Sequence, residues 1–119
     1  MVGKDRRYYT RYNVNLQCVI SLENGLNLNG EILDLSIEGA KIRILQDAPL
    51  NVKDTLYLQI KDPDKNIGFK AKAETRWVAK ENIYTIFGVK FIGLRMQDKD
   101  VISKILSEIA LSQLSEIYL

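Results

Sequence analysis

Residues 67 to 77, IGFKAKAETRW, decide the fold. Ile67, Phe69, Ala71, Ala73, Thr75 and Trp77 occupy the odd positions, while Lys70, Lys72, Glu74 and Arg76 occupy the even ones. Successive side chains of an extended chain point to opposite faces, so this spacing predicts a long strand with one buried and one solvated face. All six odd positions, Trp77 included, are expected to point inward.

The same period of two extends on both sides. Upstream, Leu16, Cys18, Ile20 and Leu22 share one parity, and ENG at 23–25 reads as a hairpin turn whose Asn-Gly pair tolerates positive φ. A second strand follows from Leu26 to about Leu35, and a third carries Ala40, Ile42 and Ile44 against Lys41 and Arg43. Leu56, Leu58 and Ile60 mark a fourth, KDPDKN at 61–66 a turn, KEN at 80–82 another, and Phe87, Val89 and Phe91 the last strand. Six strands joined mostly by short turns form a meander, which exposes its edges unless it closes into a barrel. From Asp98 the period becomes helical: Ile102, Ile105, Leu106 and Ile109 fall on one face, and Asp98 and Asp100 suit the first turn of a helix over 98–118. The expected fold is mainly β, a six-stranded antiparallel barrel over 14–93 followed by a C-terminal helix.

At 119 residues the chain is read as one domain, 1–119, with no linker, repeat or low-complexity segment. No run reaches the ~18 apolar residues of a membrane span, and MVGKDRRYY lacks the apolar stretch of a secretory signal, so a cytoplasmic location without membrane insertion is expected. Cys18 is the single cysteine, which suits a reducing compartment, and its place in an alternating strand reads as a buried structural thiol. Histidine is absent, which removes serine- and cysteine-histidine nucleophile pairs, histidine-based zinc sites and imidazole acid–base chemistry. No P-loop, GxGxxG, paired-cysteine or calcium-loop spacing is present. A binding module without catalysis, metal or cofactor is expected rather than an enzyme.

Charge is unevenly placed. Residues 1–12 hold Lys4, Arg6, Arg7 and Arg11 against Asp5, a balance of +3, whereas the other 107 residues hold 13 basic against 14 acidic side chains. An anionic partner is therefore expected to meet the RRYYTR segment at 6–11, and with few apolar anchors before Val14 residues 1–13 are expected to stay mobile until an anion gathers them. The second informative stretch is DLSIEGA at 34–40. If strand two continues through it, Asp34 and Ser36 share a parity and point to one side, and Gly39 permits a turn or a close approach. Alone, this stretch is a set of common turn formers.

Together the two segments resemble the PilZ domain family. RRYYTR contains RxxxR as Arg7 to Arg11, DLSIEG fits (D/N)xSxxG as Asp34, Ser36 and Gly39, and YTIFGVKFIGL at 84–94 is similar to the last strand of that family. The resemblance covers nearly the whole chain and implies a stand-alone, non-catalytic receptor for the bacterial second messenger cyclic di-GMP. It assigns ligand contacts to Arg7, Arg11, Asp34, Ser36 and Gly39, and implies an output such as motility, polysaccharide synthesis, surface attachment or virulence through an unknown effector protein. Arg6, directly before the pair, adds a cation, and two stacked ligand molecules would use it better than one.

The residue types fit that ligand. An arginine fork pairs with a phosphate or with the O6/N7 edge of guanine, and in an extended segment Arg7 and Arg11 lie on one side roughly 13 Å apart. Asp34 can accept from guanine N–H groups or orient an arginine, Ser36 can reach a phosphate, and Gly39 leaves room. Two other readings stand beside this one. Tyr8, Tyr9 and Tyr12 interleave with the arginines as in a single-stranded nucleic-acid binder, although the sheet faces carry as many acids as bases. The barrel can also serve as a protein-interaction adaptor with weak or no ligand binding. Leu111, Leu114 and Tyr118 fall outside the main helical stripe, which suggests a homodimer or effector surface on the distal helix.

Overall fold

The computed structural model describes residues 12–62 and 67–118. Among these, six strands close into a barrel: β1 (Tyr12–Leu22), β2 (Asn27–Leu35), β3 (Gly39–Ile44), β4 (Thr55–Asp62), β5 (Ile67–Glu81) and β6 (Tyr84–Ile92). A helix, α1 (Met96–Tyr118), follows. All neighbouring strands are antiparallel, and β1 pairs with both β2 and β4, so no edge is left open. Ile20, Ile32, Leu35, Ile42, Leu58 and Phe87 fill the interior without measurable exposure. Cys18 joins them, and burial, aided by the Glu31 charge, pushes its thiol up to about 12, which leaves it an unreactive core residue.

The simple meander is corrected at one joint. Around the barrel the order is β1-β2-β3-β6-β5-β4, so β3 lies beside β6 and not beside β4. Connections of two to four residues join the strands within β1 to β3 and within β4 to β6, the one at 63–66, where the KDPDKN turn is expected, lying outside the described residues. Residues 45–54, in contrast, are long enough to carry the chain from one group to the other. This link is pinned where it passes the β5–β6 hairpin: Thr85 Oγ1 accepts from Ala48 N at 2.9 Å and donates to Gln46 O at 2.8 Å, and Lys80 Nζ reaches Asp47 Oδ1 at 2.6 Å. That hairpin turns at residues 82–83, where Asn82 takes a φ of 54°, slightly beyond the KEN expected from sequence. At 23–25 only Gly25 uses positive φ (90°), with Gly25 N donating to Leu22 O at 3.0 Å, as in a three-residue hairpin loop.

Register shifts interrupt the ladders in β1, between Asn13 and Leu16, and in β2 and β5, and the last two displace the alternation that the sequence displays. In β5 the register slips between Thr75 and Trp77, where Thr75 faces Val89 but Trp77 faces Gly88. The extra residue, Arg76, turns Trp77 to the outside, where it is 41% exposed, while Thr75 stays inside. The expectation of an inward Trp77 is therefore overturned. In β2 the register slips between Ile32 and Asp34, so Ile32 and Leu35 point inward and Asp34 pairs with the outward Lys41. The shared side expected for Asp34 and Ser36 is not found either, because β2 ends at Leu35 and Ser36 is buried in the turn that follows.

The helix starts two residues earlier than its periodicity indicates. Asp98 Oδ2 accepts from Arg95 N at 3.0 Å and from Arg95 Nε at 3.3 Å, so Asp98 sits at the third helical position and reaches back to the capping residue. Ile102, Ile105 and Leu106 pack into the barrel core, with Val101 and Ile109 partly buried beside them. No helix among the described residues is long and apolar enough to cross a membrane.

The cap makes helix stability depend on pH. The backbone hydrogen bond from Arg95, then its side chain, holds the Asp98 carboxyl below its ordinary value. A lowered folded-state pKa contributes stability that is fully present above the ordinary carboxylate pKa of ~3.9 and is lost as pH falls through the lowered value. Asp98→Asn should therefore melt below wild type at pH 7, and the difference should close in acid below pH ~3.9. A difference that persists unchanged in acid would remove the charged cap as its cause.

Candidate functional site

The outer face of β2, β3, β6 and β5 is where the β2 and β5 bulges converge. Asp34 is the Cα partner of Lys41, Lys41 of Gly88, and Gly88 of Trp77. These four residues form one row across four neighbouring strands, and the row continues to Asn13 of β1 through its pairing with Asp34. At ~4.8 Å between strands, the backbones of Asp34 and Trp77 are roughly 14 Å apart along the surface. Bulges re-aim side chains, and here one brings an acid and the other an aromatic ring to the same row.

The turn after β2 is built by Ser36 and Gly39. Ser36 is 1% exposed, and its Oγ accepts from Glu38 N at 3.1 Å and from Gly39 N at 3.2 Å, while Ser36 N donates to Gly39 O at 2.9 Å. The hydroxyl thus satisfies the buried backbone of its own turn, as serine does in such motifs. Gly39 takes no positive φ. A Cβ there would overlap the Val89 carbonyl oxygen of β6 and stand 3.1 Å from its carbon, so this glycine is required for close passage over the neighbouring strand. Phe91 N donates to Glu38 O at 2.9 Å, tying the turn to the end of β6. Beside it a cleft of about 370 Å³ is bounded by Ile37, Glu38, Phe91, Gly93, Leu94 and Lys99, the last on α1.

Of the residues singled out in sequence, Asp34, Ser36 and Gly39 come together at one end of β2 and β3. Arg6, Arg7 and Arg11 lie outside the described residues, as do the side chains of Leu114 and Tyr118. Leu111 is 64% exposed. Sequence reasoning missed Trp77 and Lys41 as outer-face neighbours of Asp34. Strict alternation hid the first, and the second needs strand pairing to be known.

A family model described as the PilZ domain matches residues 5–108, and the chain belongs to that family. No curated protein sequence matches it. Solved structures of low identity share the fold. The PilZ domain of YcgR from Escherichia coli, determined with c-di-GMP, is 14% identical with a TM-score of 0.80 over 97% of this chain and 100% of that one. The K. pneumonia MrkH–c-di-GMP complex is 17% identical with a TM-score of 0.78 over 94% of this chain and 56% of that one. The Bacillus subtilis inhibitor of motility MotI/DgrA is 14% identical with a TM-score of 0.75 over 91% of this chain and 52% of that one. This chain thus spans about half the length of MotI/DgrA and MrkH.

Proposed function

We propose that this chain is a non-catalytic cyclic di-GMP receptor whose ligand lies on the outer face described above. The observation that carries the reading is the single row of Asp34, Lys41 and Trp77, set beyond a turn fixed by Ser36 and Gly39. A cyclic dinucleotide presents guanine N–H donors, phosphates and flat purine faces. In this reading Asp34 accepts from a guanine edge, Lys41 faces a phosphate, and the exposed indole stacks on a base. Arg7 and Arg11 clamp the ligand from the segment that leads into β1, and Arg6 supplies the further cation that favours two ligand molecules per domain. Ser36 and Gly39 act by holding the turn that presents Asp34. Binding in YcgR and MrkH supports this assignment by fold, and the RxxxR and DxSxxG residues support it by sequence.

The signal leaves by contact with a partner protein. The Phe91–Glu38 hydrogen bond joins the site turn to the strand that feeds α1, and Leu111 exposes an apolar side chain on the distal part of that helix. Together with Leu114 and Tyr118 it is the surface we assign to the effector or to a second copy of the chain.

Calorimetric titration with cyclic di-GMP and with a single-stranded oligonucleotide, at low and high salt, tests the reading. Saturable binding of the dinucleotide at two molecules per domain is expected, with weak oligonucleotide binding that salt abolishes. Tighter oligonucleotide binding would replace the receptor by a nucleic-acid-binding barrel, and binding of neither would leave the adaptor.

A further inference from the structure

We propose that Gly88 is a positioning residue of the site. Its bare Cα is the seat on which the Trp77 indole rests, and it fixes that ring along the barrel surface so that the opposite ring face is open to a purine base. The proposal rests on the outer-face reading given above and deepens it, because it concerns how the stacking surface is oriented rather than which residues contact the ligand.

Three observations carry it. The atoms nearest to a Cβ built on Gly88 all belong to the Trp77 side chain: Nε1 would overlap it, with Cε2 at 2.6 Å and Cδ1 at 2.9 Å. Cε2 and Cδ1 are both bonded to Nε1, and their closeness corresponds to an approach over the ring rather than along its edge. The indole therefore lies with one face down on β6. Gly88 itself is buried, yet Trp77 is 41% exposed, so the covered side of the ring and the open side are distinct. Gly88 has no positive φ, and an alanine there carries no backbone penalty of that kind; what the added methyl meets is the ring. A ring lying flat on a sheet presents its π-face outward, the geometry that base stacking needs, whereas a ring lifted by a methyl group presents an edge.

The seat also explains why the bulge at Arg76 is useful. Without the extra residue Trp77 would follow the inward parity of Thr75 and never reach the outer row. The bulge chooses the side of the sheet, and the glycine chooses the tilt.

Trp77 is the only tryptophan, so indole fluorescence reports this ring alone. The test compares wild type, Gly88→Ala, Trp77→Ala and the double variant, each checked for a cooperative melt, by fluorescence and by calorimetry with cyclic di-GMP. We expect Gly88→Ala to shift the indole emission without ligand and to weaken binding about tenfold, the scale of one lost base stack. In the Trp77→Ala background the same glycine change should alter affinity less than twofold, because the ring it displaces is gone. Equal losses in both backgrounds, or unchanged emission and affinity in the single variant, would overturn the proposal. Wild type that fails to take cyclic di-GMP overturns the site reading and with it the binding role of the seat, whereas normal wild-type binding with an unperturbed Gly88→Ala variant overturns the seat alone.

Discussion

Gly39→Val should unfold the chain or come close to it, lowering stability by at least ~3 kcal/mol, and Gly39→Ala should lose a smaller but clear part of that. The reason lies in barrel closure. Gly39 pairs with Lys90 where β3 begins, and its Cα passes so near β6 that any side chain must displace the Val89 carbonyl, a backbone atom held in the β3–β6 ladder. That ladder joins the β1–β3 group to the β4–β6 group on one side of the barrel, the β1–β4 pair doing so on the other. Moving the strand apart sacrifices hydrogen bonds at a seam for which no neighbouring hairpin compensates. A domain of this size has a total stability of only about 5–15 kcal/mol, so the loss is a large fraction of it. Urea denaturation of the two variants measures the effect. A Gly39→Val midpoint equal to wild type would show that β6 can yield, and the role of this glycine would then have to be sought at the ligand.

That prediction changes the meaning of a motif that looks like a set of ligand contacts in the sequence. Of Asp34, Ser36 and Gly39, only Asp34 lies on the outer row. Ser36 caps the backbone of the turn, and Gly39 permits the turn to meet β6. The three residues were legible as a unit because turn chemistry has a strong residue signature, but their division of labour depends on strand pairing. The same limit governs the fold. The six strands and the helical stripe followed from periodicity, since burial of one face imposes it. The pairing of β3 with β6 did not, because a ten-residue link carries no mark of where it leads. Trp77 is the sharpest case: IGFKAKAETRW alternates without a visible fault, and a bulge at Arg76 leaves no signature in one sequence. Only Gly88, an odd choice amid the apolar Phe87 and Val89, hinted that something outside the strand needed room.

Arg7→Ala and Arg11→Ala should each weaken cyclic di-GMP binding at least tenfold while leaving the melting temperature unchanged, and the double variant should lose binding by two orders of magnitude or more. A charged hydrogen bond removed from a bound anion is worth about 1.5–3 kcal/mol, and each 1.4 kcal/mol is a factor of ten. The fold is expected to survive because both arginines precede β1, and the core is supplied by the strands and by Ile102, Ile105 and Leu106 of the helix. Lysine should not restore affinity at either position, since a point charge replaces the net charge but not the planar fork that grips a phosphate or a guanine edge. The contrast with the outer row is informative. Asp34→Ala removes an acceptor for a guanine edge and should also cost about tenfold, but it should leave the salt dependence of binding intact, whereas each arginine change should flatten it. Calorimetry at two salt concentrations separates these outcomes. Undiminished affinity in the Arg7→Ala, Arg11→Ala double variant would sink the clamp, and full rescue by lysine would reduce it to non-specific attraction of an anion to a basic segment.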